Sequence, residues 1–321
     1  MLYYGERKKG CRCLEVILHG YRTLIIENDV IRVMLLLDKG TDIISYVHKA
    51  TDTDFVWTNP MGLSCLEKRR LAIMDADCYS DNYVGGMFEI LPNFGSPCEC
   101  NGMHFPQHSE ASLLPWEVQI VEDSAERMVF RFTIKLSKMP LMLTKTLIIT
   151  NDSMALRFEE ELKNIGSMPV PYLWAWHPCI GEPFLNSDCQ IELPFHENIE
   201  VPMRGAGRGF FDIYKSGESN YATIRNTKTG FGIGFSFDPL VYTHCAVWID
   251  AGGGRGHHKW NGSYVVSVLP CNSEVFTLSE AIEKNRADVI DAGEVRQSWY
   301  TMTLFQKNES VKGISKDGKV I

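Results

Sequence analysis

Along most of the chain, apolar residues alternate with polar ones or gather in short runs closed by Asn, Asp, Gly or Pro. That pattern belongs to strands and not to helices. Gly20–Asp29 and Val30–Asp38 are β-rich runs parted by Glu-Asn-Asp, and Lys39-Gly40-Thr41 turns the chain into Asp42–His48. Further strands are predicted over 116–122, 127–136, 143–150, 154–164, 189–193, 221–226, 232–237, 244–249, 264–269 and 298–305. Breaks such as Asn151-Asp152, Asn226–Gly230 and Asp238-Pro239 lie between them. Many short strands at spacings of about 8–15 residues point to an all-β sandwich or barrel. Helical periodicity is confined to Ser279–Arg286, with a serine cap, and to a weaker stretch over Cys65–Leu71. The stretch from about 60 to 110 has little regular pattern, and loops that long inside a compact domain are usually functional.

The chain has 321 residues, which admits two ordinary domains, yet large β-sandwiches commonly exceed 200 residues as one unit. No linker or repeat divides it, so one domain over 1–306 and a loose polar C-terminal tail over 307–321 are expected. A net charge of -8 argues against a nucleic-acid partner and against an anionic membrane surface. Ten cysteines show no recurring CxxC at zinc spacing, although Cys11/Cys13 and Cys98/Cys100 form CxC pairs. The N-terminus lacks an apolar signal region, and reduced thiols acting as small buried hydrophobes then fit a cytoplasmic protein. An exposed edge strand could pair two subunits, so a homodimer stays open.

Chemistry-bearing residues fall in three clusters. The first is Tyr172–Gly181, where His177 sits beside Trp174 and Trp176 and before a Pro-Cys-Ile-Gly turn, which suggests a position at a sheet edge. A histidine there can exchange protons near neutral pH, and the tryptophans offer faces on which a sugar can stack. The second runs through Gly85–Asn93 and Phe105–Ala111, supplying Glu89, His108 and Glu110 for proton transfer at a hydroxylated substrate. His104, His108 and Glu110 also admit a metal reading, but Pro106 interrupts any strand that would align them. The third is Val247–Trp260, whose glycine-rich run precedes a strand and not a helix, and so is a hairpin loop and not a phosphate cradle. Asp250 stands there as an acid–base or hydroxyl-binding candidate, while Arg255, His257 and His258 read as a solvated tip. Each of these residues also has a plain structural reading, as a buried histidine or a turn carboxylate.

Taken together, the three clusters resemble the aldose 1-epimerase, or galactose mutarotase-like, superfamily over nearly the whole chain. Gly86–Asn93 is similar to its Gly-Trp-x-Glu-x-x-Pro-Asn segment, Pro106–Glu110 to its His-Gly-Glu segment with Ser109 in place of glycine, and Trp176-His177-Pro178 to its His-Pro segment. The resemblance implies a large antiparallel β-sandwich (the mutarotase supersandwich) with few short helices, no cofactor, no metal, and a small carbohydrate as partner. It implies interconversion of the α and β anomers of an aldose, with His177 as the acid at the ring oxygen and His108 in support. Glu89, Asn93, Glu110, Trp176, Trp248 and Arg69 are the candidate sugar-binding residues.

One departure bears on the activity. The family usually carries its catalytic glutamate in a Glu-Pro dipeptide on a late strand, and here Leu269-Pro270 occupies that position. Asp250 is then the first candidate for the base, because it precedes the same hairpin. A non-catalytic sugar-binding protein on this fold is the alternative.

Overall fold

The computed structural model describes residues 7–64, 78–254, 258, 260 and 262–321. Two large antiparallel sheets pack face to face. In spatial order the ten-stranded sheet runs Arg12–Leu18, Tyr21–Glu27, Ile31–Leu36, Asp42–His48, Met87–Ile90, Ala175–Ile180, Tyr264–Cys271, His244–Ala251 and Arg208–Lys215, with Thr53–Asp54 paired to Asp42–His48. The nine-stranded sheet runs Ile199–Glu200, Cys189–Glu192, Tyr221–Asn226, Phe231–Phe237, Val295–Gln306, Ala155–Asn164, Leu141–Thr150, Arg127–Lys135 and Glu117–Asp123. This is the all-β sandwich that the alternation predicts. Short helices cover Cys78–Asp81 and Leu278–Glu283; Thr277, not Ser279, caps the latter by accepting from the Glu280 amide. The helical pattern over 65–71 lies outside the described residues. Among the described residues no helix is long and apolar enough to cross a membrane.

Three sequence expectations are corrected. His177 is not at a sheet edge, because its strand pairs on one side with Met87–Ile90 and on the other with Tyr264–Cys271. The stretch from 60 to 110 contributes a central strand, Met87–Ile90, and a small hairpin of Cys98–Cys100 with Met103–Phe105. Residues 307–321 are not loose: Val311 and Ile314 are buried against Phe305, Arg225 donates to the Asn308 carbonyl, and Ile314 bridges Val320. Two apolar residues three apart are enough to dock an otherwise polar segment.

A buried cluster of charged side chains lies between the sheets. Glu89 projects from the ten-stranded sheet toward Lys145 and Glu160 of the other, all three buried. Lys145 Nζ lies 3.5 Å from Glu89, Trp174 Nε1 donates to Glu89 at 2.7 Å, and the Tyr242 hydroxyl donates to Glu160 at 2.6 Å. With two carboxyls and one ammonium enclosed together, burial and then Glu89 hold Glu160 well above its ordinary value, and burial raises Glu89 as well.

A carboxyl raised in the fold suits the folded state when protonated, so stability is greatest below about pH 4.5 and declines as pH climbs through the folded-state value. Glu160→Gln keeps an acceptor for Tyr242 and a donor for Glu89 while removing the ionisable group. We expect it to melt higher than the wild type at pH 8, by about 1 kcal/mol or more. The difference should fade by pH 4.5 in thermal melts across that range, and a variant less stable at pH 8 would contradict the assignment.

Candidate active site

On the outer face of the ten-stranded sheet lies a cavity of about 490 Å³ lined by Tyr79, Tyr83, Phe94, Gln107, His108, His177, Phe211, Trp248, His258, Leu269 and Phe276. A cavity of this size holds a single small ligand. Its floor follows from strand alternation, since neighbouring residues on a strand face opposite sides. His177 is paired with Phe88 and Trp176 with Glu89, so His177 and Phe88 face the cavity while Trp176 and Glu89 face the core. His177 stacks on Phe88 at 4.6 Å between ring centroids, and Trp176 stacks on Tyr300 at 4.6 Å inside the sandwich.

The candidate residues therefore separate. His177, His108 and Trp248 are brought together around the cavity, with the His108 and His177 rings 5.2 Å apart. Glu89 and Trp176 are core residues, a correction to their assignment as sugar ligands. Glu110 is also removed from that role: it is buried and accepts from the Ser137 and Lys138 amides and the Ser137 hydroxyl, fastening a loop. Asn93 is a scaffold: its amide donates to the carbonyls of Ser96 and Pro106, and its oxygen accepts from the Leu278 amide at 2.9 Å. It thereby holds the wall that carries Phe94 and His108. Asp250 does not line the cavity; it stands one strand position pair beyond Trp248, behind His258. His104 is exposed on the hairpin beside Glu99, away from His108, so the His104, His108 and Glu110 metal reading does not assemble. Arg69, Arg70, Arg255 and His257 lie outside the described residues.

The two histidines present opposite faces of the imidazole chemistry. His108 Nδ1 meets the Phe94 carbonyl, which can only accept, so the proton is assigned to Nδ1 and Nε2 is left as an acceptor. The Gln107 amide nitrogen lies 3.4 Å from that Nε2. His177 Nδ1 lies 3.2 Å from the Ser267 hydroxyl and 3.3 Å from the Cys179 thiol, both able to donate, so its proton is assigned to Nε2. Burial drives both rings toward the neutral form. It pushes His108 down to about 4, partly offset by the Phe94 carbonyl. His177 is held well below its ordinary value by burial first and by His108 second. One ring thus offers a lone pair and the other an N–H to the same space.

Sequence reasoning read His258 as part of a solvated tip and did not assign Gln107, Tyr79, Tyr83 or the phenylalanines Phe94, Phe211 and Phe276 to the site. His258 is folded against Trp57 and Trp248, with ring centroids 5.9 and 5.3 Å away, so it is no solvated tip. The tryptophans flanking the glycine-rich run were the available signal. Leu269 lines the cavity with an alkyl group. No Asp, Glu, Lys or Arg lines the cavity among the described residues.

A ten-stranded sheet packed on a nine-stranded one is the galactose mutarotase-like fold. An aldose 1-epimerase candidate from Klebsiella pneumoniae subsp. pneumoniae is similar to it with a TM-score of 0.79 and 17% identity, over 94% of this chain and 85% of its own. A galactose mutarotase-like protein from Clostridium acetobutylicum gives a TM-score of 0.69 at 9% identity, over 93% and 99%. An aldose 1-epimerase candidate from Escherichia coli K12 gives 0.58 at 12% identity, over 93% and 100%. At such identities the shared property is the fold, which hosts more than one function. More narrowly, a family model described as a domain of unknown function, DUF4432, matches residues 18–206, more than half the chain, and the chain belongs to that family. No curated protein matches it.

His108 also makes the fold acid-sensitive. A histidine lowered in the fold contributes stability that is present above about pH 6.5 and is lost as pH falls toward 4, because the unfolded chain takes the proton first. A displacement of that size is worth about 3 kcal/mol. His108→Asn, which tolerates the left-handed backbone at this position, should flatten the pH dependence of unfolding between 6.5 and 4. An unchanged slope in denaturant titrations would place the proton elsewhere.

Proposed function

We propose that this protein is a carbohydrate mutarotase of the aldose 1-epimerase type, interconverting the anomers of a small sugar by ring opening and closure. The observation that carries the reading is the pair of buried histidines on one cavity wall, His108 and His177, with ring centroids 5.2 Å apart. Anomer exchange takes the proton from the anomeric hydroxyl and puts one on the ring oxygen. His177 Nε2–H is suited to the ring oxygen, with Nδ1 held by contacts to Ser267 and Cys179. His108 Nε2 is suited to accept a hydrogen bond from a sugar hydroxyl. Its strong displacement to about 4 makes it a poor acceptor of a whole proton at pH 7, so its role is to hold and not to deprotonate. Trp248, Phe211 and Phe276 supply apolar faces for the carbon side of the ring.

Leu269 favours a second reading, a sugar-binding protein without turnover, because it removes the usual carboxylate from the cavity. Exchange spectroscopy by NMR on a panel of aldoses separates the two. Under the mutarotase reading the wild type accelerates exchange, and His177→Ala loses about 100-fold or more of that acceleration. Binding seen as line broadening, with no acceleration for any sugar, would establish the second reading instead.

A further inference from the structure

Resting on the mutarotase reading, one participant is still missing, namely a group able to take the anomeric proton. The cavity wall offers no carboxylate among the described residues, and His108 is too weak a base. We propose that His258, backed by the buried carboxylate of Asp250, is that general base and replaces the glutamate displaced by Leu269.

The geometry is that of a built dyad. Asp250 is 1% exposed. Its Oδ1 accepts from the amides of Gly252 at 3.1 Å and Gly254 at 2.9 Å, and its Oδ2, with no hydrogen-bond partner among the described residues, lies 3.6 Å from His258 Nδ1. The Ser263 hydroxyl stands 3.1 Å from the same Nδ1. His258 is seated beside Trp57 and Tyr83 and edge-on to Trp248, and it lines the cavity; with Nδ1 beside Asp250 and Ser263, Nε2 is the nitrogen we assign to the substrate. It is near enough to His177 for a charge on one ring to be felt by the other. Gly254 is required by the arrangement, since a β-carbon there would come within 2.2 Å of Asp250 Oδ2 and 2.8 Å of His258 Cβ. The absence of a side chain at Gly254 therefore leaves room for His258 beside a buried carboxylate.

In the reaction, His258 Nε2 takes the proton of the anomeric hydroxyl. The freed pair forms the C1 carbonyl, the bond from C1 to the ring oxygen breaks, and the ring oxygen takes the proton of His177 Nε2. The imidazolium on His258 is held beside the Asp250 carboxylate. After rotation about C1–C2 every transfer reverses and both histidines return to their starting forms. His258 is the catalytic residue here, and Asp250 is a positioning residue that acts through it.

The test uses the full chain and the aldose that the wild type turns over fastest. His258→Gln should lower the rate constant at saturation about 100-fold or more with little change in half-saturating sugar. His258→Ala should regain part of the loss on addition of free imidazole, which a merely structural role would not allow. Asp250→Asn should lower the rate at saturation, with Asp250→Glu partly restoring it, all variants being checked by thermal melts. His258→Gln within twofold of the wild type, or no rescue of His258→Ala, overturns the assignment of the base while the mutarotase reading stands. A wild type that accelerates no aldose overturns that reading itself, and this inference with it.

Discussion

The register between Ala175–Ile180 and Met87–Ile90 is the constraint on which the rest of this molecule depends. A strand has two faces, and a slip of one residue exchanges them. With His177 opposite Phe88, a titratable ring faces the cavity while Trp176 and Glu89 close the core. The opposite register would bury His177 among the tyrosines and tryptophans of the interior and turn a carboxylate outward. Both strands are central and buried along their length, so the register is fixed from both sides and the site is held rigidly.

Much of the architecture was legible because the strands announce themselves by alternation and by the Asn, Asp and Gly that close them. The exceptions have physical causes. Met87–Ile90 and Ala175–Ile180 are buried on both faces and therefore show no alternation to read. The last fifteen residues are polar in composition, and only Val311 and Ile314 betray that they dock. In the site, His177 and His108 stood out by their neighbours, but a list of adjacent residues cannot tell the two faces of a strand apart. Glu89 and Trp176 were assigned to the wrong side for that reason. Glu110 and Asn93 were missed as scaffolds because their partners, Ser137 and Leu278, are distant in sequence. His258 could not be placed from sequence, since its destination depends on where a glycine-rich loop lands.

Charge is kept off the described cavity surface. The carboxylates nearest the chemistry are withdrawn from the cavity surface: Asp250 sits behind His258, and Glu89 and Glu160 sit across the sheet beside Lys145. What remains on the described cavity wall is imidazole, amide, phenol and hydrocarbon. Such a wall keeps His108 and His177 neutral at physiological pH, because burial lowers both. It also makes proton affinity at the cavity a matter of which nitrogen each ring turns inward, and that is decided by Phe94, Ser267 and Cys179 one layer away.

The middle of the nine-stranded sheet has a consequence for how the chain comes together. Val295–Gln306, the latest strand in sequence, is inserted between Ala155–Asn164 and Phe231–Phe237. Without it, Ala155–Asn164 and Phe231–Phe237 each lack the partner along one long edge. During synthesis these two strands must wait for more than a hundred residues after Ala155–Asn164 is made before a strand joins them. Open edges of that kind are where neighbouring chains add. The molecule's vulnerability to misassembly is therefore set by the order in which its strands leave the ribosome, and it ends when a single segment slides home between two waiting partners.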